Sequence, residues 1–214
     1  MKRAISVSVL GVLASMVSAD VLYSNFGEGD TYLLDRGWTL SYGGPLGGEV
    51  NEQAVAFTVT GGDYYFNSAE FAVLLNWGPD IVYMGLHADA NGNVGAEIET
   101  TTASGVTDPF VWAPPMVATF SGTTVLEDGM TYWLTMRTAE EDALSSWAFN
   151  AIDDFGLRAW QVNGGGWNPT YGEPGTDTQR GVFRINGTAV PAPGALVVLG
   201  GIGLIGARRS PRLG

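Results

Sequence analysis

No cysteine occurs anywhere in the chain, which excludes disulfides, thiolate metal sites and cysteine nucleophiles. Histidine occurs once, at His87, so a multi-histidine metal centre cannot form. A Gly-x-Ser-x-Gly turn to present a serine nucleophile is also missing. Lysine is confined to Lys2, and between residues 20 and 189 only Arg36, Arg137, Arg158, Arg180 and Arg184 oppose 22 carboxylates. Such a field repels nucleic acid and anionic lipid headgroups, so neither is an expected partner, while cations are attracted. Long apolar runs are missing as well. The two apolar stretches, 4–17 and 194–207, both fall short of the roughly 20 residues that an independent membrane span needs.

What the ends do contain is address. Lys2 and Arg3 precede the first apolar stretch, and Val17-Ser18-Ala19 closes it before Asp20. A short cationic start, an apolar helix and small residues at the cut are the parts of a secretory signal, with signal peptidase expected to cleave after Ala19. At the other end, Val190-Pro191-Ala192-Pro193 leads into the second apolar stretch and then Arg208, Arg209 and Arg212. The prolines make an extended spacer. Small residues in the apolar stretch suit close packing against another membrane protein. The terminal arginines stay cytoplasmic, leaving the preceding body outside.

This tail resembles the PEP-CTERM sorting signal, although Ala192 stands where the commonest form has a glutamate. The resemblance implies an exosortase-type transpeptidase as processing partner, acting near Val190, Pro191, Ala192 and Pro193. It also implies transient residence in the inner membrane through the C-terminal helix, then a place at the cell surface or in an extracellular polysaccharide matrix. The expected organisation is a signal peptide at 1–19, one acidic domain at 20–189 and a sorting signal at 190–214.

The central stretch of about 170 residues is enough for one domain with a substantial core. Its 24 glycines, low charge content and many aromatic and β-branched residues favour turns and strands. Period-two alternation marks several strands. One contains Val55, Phe57 and Val59; a longer one runs through Ala69, Phe71, Val73, Leu75 and Trp77 to Gly78-Pro79-Asp80. Further strands contain Val82, Met84 and Leu86; Tyr132, Leu134 and Met136; Trp147 and Phe149; Trp160 and Val162; and Phe183 and Ile185. Turns are expected at Asn91-Gly92, Asp128-Gly129, Asn163-Gly164 and Pro174-Gly175, with a surface loop over 164–175. Thr138-Ala139-Glu140-Glu141 alone reads as a short helix start. The expected fold is all-β, a β-sandwich or related jelly roll, flanked by the signal helix and the C-terminal apolar helix.

Asn25-Phe26-Gly27 with Gly29-Asp30-Thr31-Tyr32, Gly37-Trp38-Thr39, Ala56-Phe57-Thr58-Val59, the stretch 81–89 with Asn91-Gly92, and Gly129-Met130-Thr131-Tyr132-Trp133-Leu134 resemble the choice-anchor domains, R type. That resemblance implies a β-sandwich attached to a surface anchor. It carries no catalytic residues.

Four constellations are candidates for chemistry. Asp89, Asn91 and Asn93, with Glu97 and Glu99 beyond, could wrap a calcium ion, or else form a plain Asn-Gly hairpin. Asp153-Asp154 and Glu140-Glu141 invite a glycosidase reading, but adjacent carboxylates point apart and a catalytic pair usually comes from separate strands. His87 lies opposite Val82, Met84 and Leu86 on its strand, facing solvent or a shallow surface. Among Trp38, Trp112, Trp147, Trp160 and Trp167, most are expected to fill the core; Trp167, followed by Tyr171, is the best platform for stacking on a sugar ring. No catalytic residue is expected. A structural or interaction role at the surface leads, with a carbohydrate-binding module and a glycan-degrading enzyme as alternatives.

Overall fold

The computed structural model describes residues 19–43, 48–105, 110–111, 114–174 and 179–191. The signal segment before Ala19, residues Ala192, Pro193, Arg208 and Arg209, the C-terminal apolar stretch, Trp112 and Gly175 lie outside the described residues.

Among the described residues the regular structure is all strand. In chain order the strands are β1 (Asp20–Ser24), β2 (Tyr32–Tyr42), β3 (Val50–Thr58), β4 (Tyr64–Phe71), β5 (Val73–Trp77), β6 (Ile81–Asp89) and β7 (Val94–Ser104). They continue with β8 (Met116–Thr119), β9 (Val125–Leu126), β10 (Thr131–Thr138), β11 (Ala143–Asn150), β12 (Leu157–Val162), β13 (Asn168–Tyr171) and β14 (Phe183–Ala189). The smaller sheet runs β1-β14-β4-β8, with β9 also on β4. The larger runs β5-β11-β2-β3-β10-β6-β7, with β12 on β3 and β13 on β12. The strand pairs are antiparallel.

Alternation places the core between the sheets. Phe66, Ala69 and Phe71 of β4 and Phe183 and Ile185 of β14 share one buried cluster with Val55, Phe57, Met84, Leu86, Leu134 and Met136 of the larger sheet. Burying each large apolar side chain contributes about 1.5–3 kcal/mol. On β10, the intervening Trp133 points the other way yet is fully buried. It sits with Ala54, Ala56, Val94 and Ala159 under Leu157 and Trp167, so the larger sheet is partly covered on its outer face too.

Three expectations need correction. The long strand through Ala69 and Trp77 is two strands: β4 belongs to the smaller sheet and β5 to the larger, and the chain changes sheets at Ala72. Phe71, Ala72 and Val73 are buried in succession, which is how the backbone crosses the core without exposing an apolar face. Trp77 then ends up exposed, not on a buried face. The segment from Thr138 is no helix: Thr138 ends β10, Asp142 adopts a left-handed φ of 61°, and β11 starts at Ala143. Cross-strand pairing overrides the local capping pattern. Finally, β13 occupies part of the expected loop over 164–175, paired with β12 from Leu157↔Tyr171 to Trp160↔Asn168.

The Asn91-Gly92 turn is met as expected. Both residues have positive φ (57° and 81°), and the Ala90 amide donates to the Asn93 carbonyl at 2.8 Å. Those angles belong to a two-residue turn whose twist matches the flanking strands.

Gly181 marks a close approach of backbone to a buried ring. A Cβ there would lie 2.5 Å from Trp147 ring carbons, and the Trp147 indole donates to the Val182 carbonyl at 2.8 Å. Gly181→Ala should therefore cost about 1–3 kcal/mol through overpacking, and Leu134→Ala about 2–5 kcal/mol through the cavity it leaves. Urea unfolding followed by tryptophan fluorescence measures both; an unchanged midpoint for either variant would contradict this packing.

Candidate functional site

The Asp89 turn is built from its own hydrogen bonds. Asp89 accepts from the Gly92 amide at 3.0 and 3.2 Å through its two carboxylate oxygens, and from the Trp133 indole at 2.8 Å. Asn93 accepts the Val94 amide through its side chain. Glu99 lies in another network, accepting from the Ser121 amide and the Thr124 hydroxyl. Burial would raise the Glu99 carboxyl, but those hydrogen bonds outweigh it and hold the group low. Among the described residues no group of three or more His, Asp or Glu is arranged to hold a metal ion. The Asp89 carboxylate serves the turn and the tryptophan beneath it.

His87 lies under the same hairpin. Its Nδ1 is 3.1 Å from the Gly95 carbonyl and its Nε2 is 3.2 Å from the Thr135 hydroxyl, so both ring nitrogens have structural partners. Glu97 stands 4.0 Å from Nε2.

The paired carboxylates do not meet as an acid and a base. Asp154 is tied into a buried network: Arg180 donates to it from Nε at 2.9 Å, Tyr23 donates its hydroxyl at 2.7 Å, and Asn25 donates at 2.9 Å. Burial alone would raise the Asp154 carboxyl; the Arg180 charge and the donated hydrogen bonds outweigh it and hold the group below its ordinary range. Burial pushes the neighbouring Tyr23 hydroxyl up. Arg180 also donates to the Ala56 carbonyl, which ties the network to the edge of β3. Asp153, with φ at 57°, accepts from Gln179 at the surface. Glu140 and Glu141 are exposed in the β10–β11 turn.

The two residues expected to bind a sugar separate. Trp167 is half-buried and packs over the Trp133 cluster, not out into solvent. Tyr171 is 69 % exposed. It stands at a cleft of about 360 Å³ also lined by Leu157, Thr58, Thr131, Tyr23 and Arg180. Thr58 and Thr131 share a hydrogen bond at 2.9 Å across β3 and β10. The cleft thus offers an aromatic and aliphatic wall from the Leu157↔Tyr171 pair, faced by hydroxyls.

A different constellation is not signalled by any local motif. Trp160 and Val162 mark β12 as expected, but Trp160 does not fill the core: both are partly exposed, and Arg158 is buried at 6 % exposure. Its guanidinium carbon lies 3.6 Å from the centre of the Trp38 ring and 5.4 Å from that of Trp160. Arg36, Arg180 and Arg184 each have a carboxylate partner. Arg137 donates to the Thr138 carbonyl and lies over Tyr42 and Tyr83. Arg158 has its two rings, and its Nε is buried without a hydrogen-bond partner. Burial pushes its pKa down to about 10, leaving it charged at neutral pH. Beside it, the Gln53 amide donates to the Thr39 carbonyl at 3.2 Å while its Oε1 is buried and unpartnered. Arg158 pairs with Val55 and Trp160 with Gln53 in the β12–β3 register, so both orphaned atoms come from one face of adjoining strands.

Compared with known proteins, the chain matches no family model and no curated protein sequence.

Two outcomes follow from these networks. The stabilisation from Asp154 is complete above the ordinary carboxylate range, near pH 4, and is lost as pH falls through its depressed folded value. Asp154→Asn removes it at every pH and leaves Arg180 uncompensated, an expected cost of about 3–5 kcal/mol. Equal unfolding midpoints for the variant and the parent at pH 7 would refute the network's role. For the Asp89 turn, EDTA should leave the melting temperature unchanged; a fall of several degrees would mean that a cation does bind there.

Proposed function

We propose that this protein is an exported module displayed at the bacterial surface, where its acidic β-sandwich has a structural or interaction role. The observation that carries the reading is the position of the folded body along the chain. β1 begins at Asp20, directly after the expected cleavage at Ala19, and β14 ends at Ala189, directly before Val190 and Pro191. The two strands are antiparallel neighbours, with Asp20 opposite Gly187, so the start and the end of the body leave from the same side. Cleavage at one end and sorting at the other would remove none of the strands among the described residues. An all-β body without cysteine and with excess carboxylates suits a soluble domain outside the membrane.

The test is mass spectrometry of the native protein with cell fractionation. The mature chain should begin at Asp20, be shortened near Val190 to Pro193, and lie in the surface or extracellular fraction. Recovery from the cytosol with Met1 and Gly214 intact would overturn the reading.

A second reading, binding of a neutral glycan, draws on the cleft at Tyr171. The exposed ring can stack on the C–H face of a sugar while Thr58 and Thr131 meet its hydroxyls. Glycan-array binding that disappears with Tyr171→Ala would support it; binding unchanged in that variant would exclude this cleft.

A further inference from the structure

Arg158 presents a problem that the fold does not solve by itself. A buried guanidinium is costly unless hydrogen-bonded or paired. The chain has 22 carboxylates, yet none of those described stands against this arginine as Asp154 stands against Arg180. The Trp38 stack holds the guanidinium through its flat face, which leaves the donating edge for something else. A carboxylate arriving from solvent meets the terminal nitrogens first, and takes the enclosed Nε together with one of them once the side chain shifts. The orphaned Gln53 Oε1 needs a donor, which a hydroxyl supplies. Trp160, 37 % exposed, adds a ring face for C–H contact at the solvent side.

One ligand class has all three features: a carboxylate, a neighbouring hydroxyl and an apolar ring face. We propose that Arg158, Trp38, Trp160 and Gln53 form a binding site for a hexuronate residue carried on a polysaccharide. The surrounding acidic field repels a polymer with a charge on every residue. It tolerates a chain whose uronates are sparse among neutral sugars, and the single buried arginine then selects the acid. The inference goes beyond surface display and does not depend on it.

The full-length protein in mild detergent is titrated with D-glucuronate, its neutral methyl ester, and a xylo-oligosaccharide carrying one glucuronate, with tryptophan fluorescence and thermal melting as readouts. The acid and the acidic oligosaccharide should quench fluorescence saturably and raise the melting temperature; the ester should do neither. The oligosaccharide should bind roughly tenfold more tightly than the monosaccharide, because flanking sugars add contact. Arg158→Lys keeps the charge but loses the fork, and should weaken binding by roughly tenfold or more. Arg158→Met should abolish binding without lowering the ligand-free melting temperature, since an apolar replacement of an unpaired buried charge is neutral or stabilising.

No response to either acid up to about 50 mM would overturn the proposal, because saturating ligand must stabilise the state it binds. So would a response equal to that of the ester, or undiminished binding by both variants. A lower ligand-free melting temperature in Arg158→Met, with unchanged binding by Arg158→Lys, would make the arginine a structural prop. Equal affinity for monosaccharide and oligosaccharide would overturn the assignment to a chain.

Discussion

The buried charge pair between Arg180 and Asp154 is the constraint on which the rest of the body depends. It gathers side chains from segments far apart in sequence: Tyr23 from β1, Asn25 just after it, the Ala56 carbonyl of β3 and the approach to β14. Asn25 extends the reach, donating to the Gly181 carbonyl and accepting the Phe183 amide at 2.7 Å. Asn150 completes it, donating to the Arg180 and Asp154 carbonyls. Desolvating two charges is expensive, and the pair is tolerated because neighbouring groups hydrogen-bond to both partners. Its geometric consequence is that β1 and β14, the first and last described strands, are held together. The smaller sheet then presents Phe183 and Ile185 to the larger one.

The two buried arginines show how one residue type takes opposite parts. Arg180 is satisfied on every side and closes the fold. Arg158 is stacked on tryptophan, enclosed and left without an acceptor at Nε. A fold selected for stability alone gains nothing from the second arrangement. This unmet polar demand among the described residues is where the proposed ligand would contribute the missing partner. The Gln53 oxygen beside it makes the same demand with the opposite hydrogen-bonding sense.

Legibility in the sequence followed the range of the forces involved. Asn91-Gly92 could be read because its turn is local, a matter of two residues tolerating positive φ. The core-facing sets Val82, Met84, Leu86 and Tyr132, Leu134, Met136 could be read because apolar residues recur at every second position of their strands. The sheet change at Ala72 could not, since alternation continues smoothly through a strand that has switched partners. Only the small side chain of Ala72 between two large buried ones hints at it. The capping pattern at Thr138 misled for the converse reason: a local preference worth about 1 kcal/mol yields to hairpin pairing on both sides. Trp167 was expected to be exposed because it follows three glycines, but tertiary packing over Trp133 takes it in. The Arg158 cradle was illegible because its members come from β2, β3 and β12 and meet only through sheet register. The ends of the chain carry their meaning as signals, and only Ala19, Val190 and Pro191 of those motifs fall among the described residues.

The described body is expected to unfold as one cooperative unit, with its first and last described strands, β1 and β14, integral to it. Native-state hydrogen exchange tests that most directly. Amides of Val21 and Tyr23 in β1 and of Ile185 in β14 should exchange only through global unfolding, with protection matching that of Leu134 in β10. Exchange of β1 by local opening, well before β10, would show that the strand next to Ala19 is an accessory and that the body does not begin where the fold indicates.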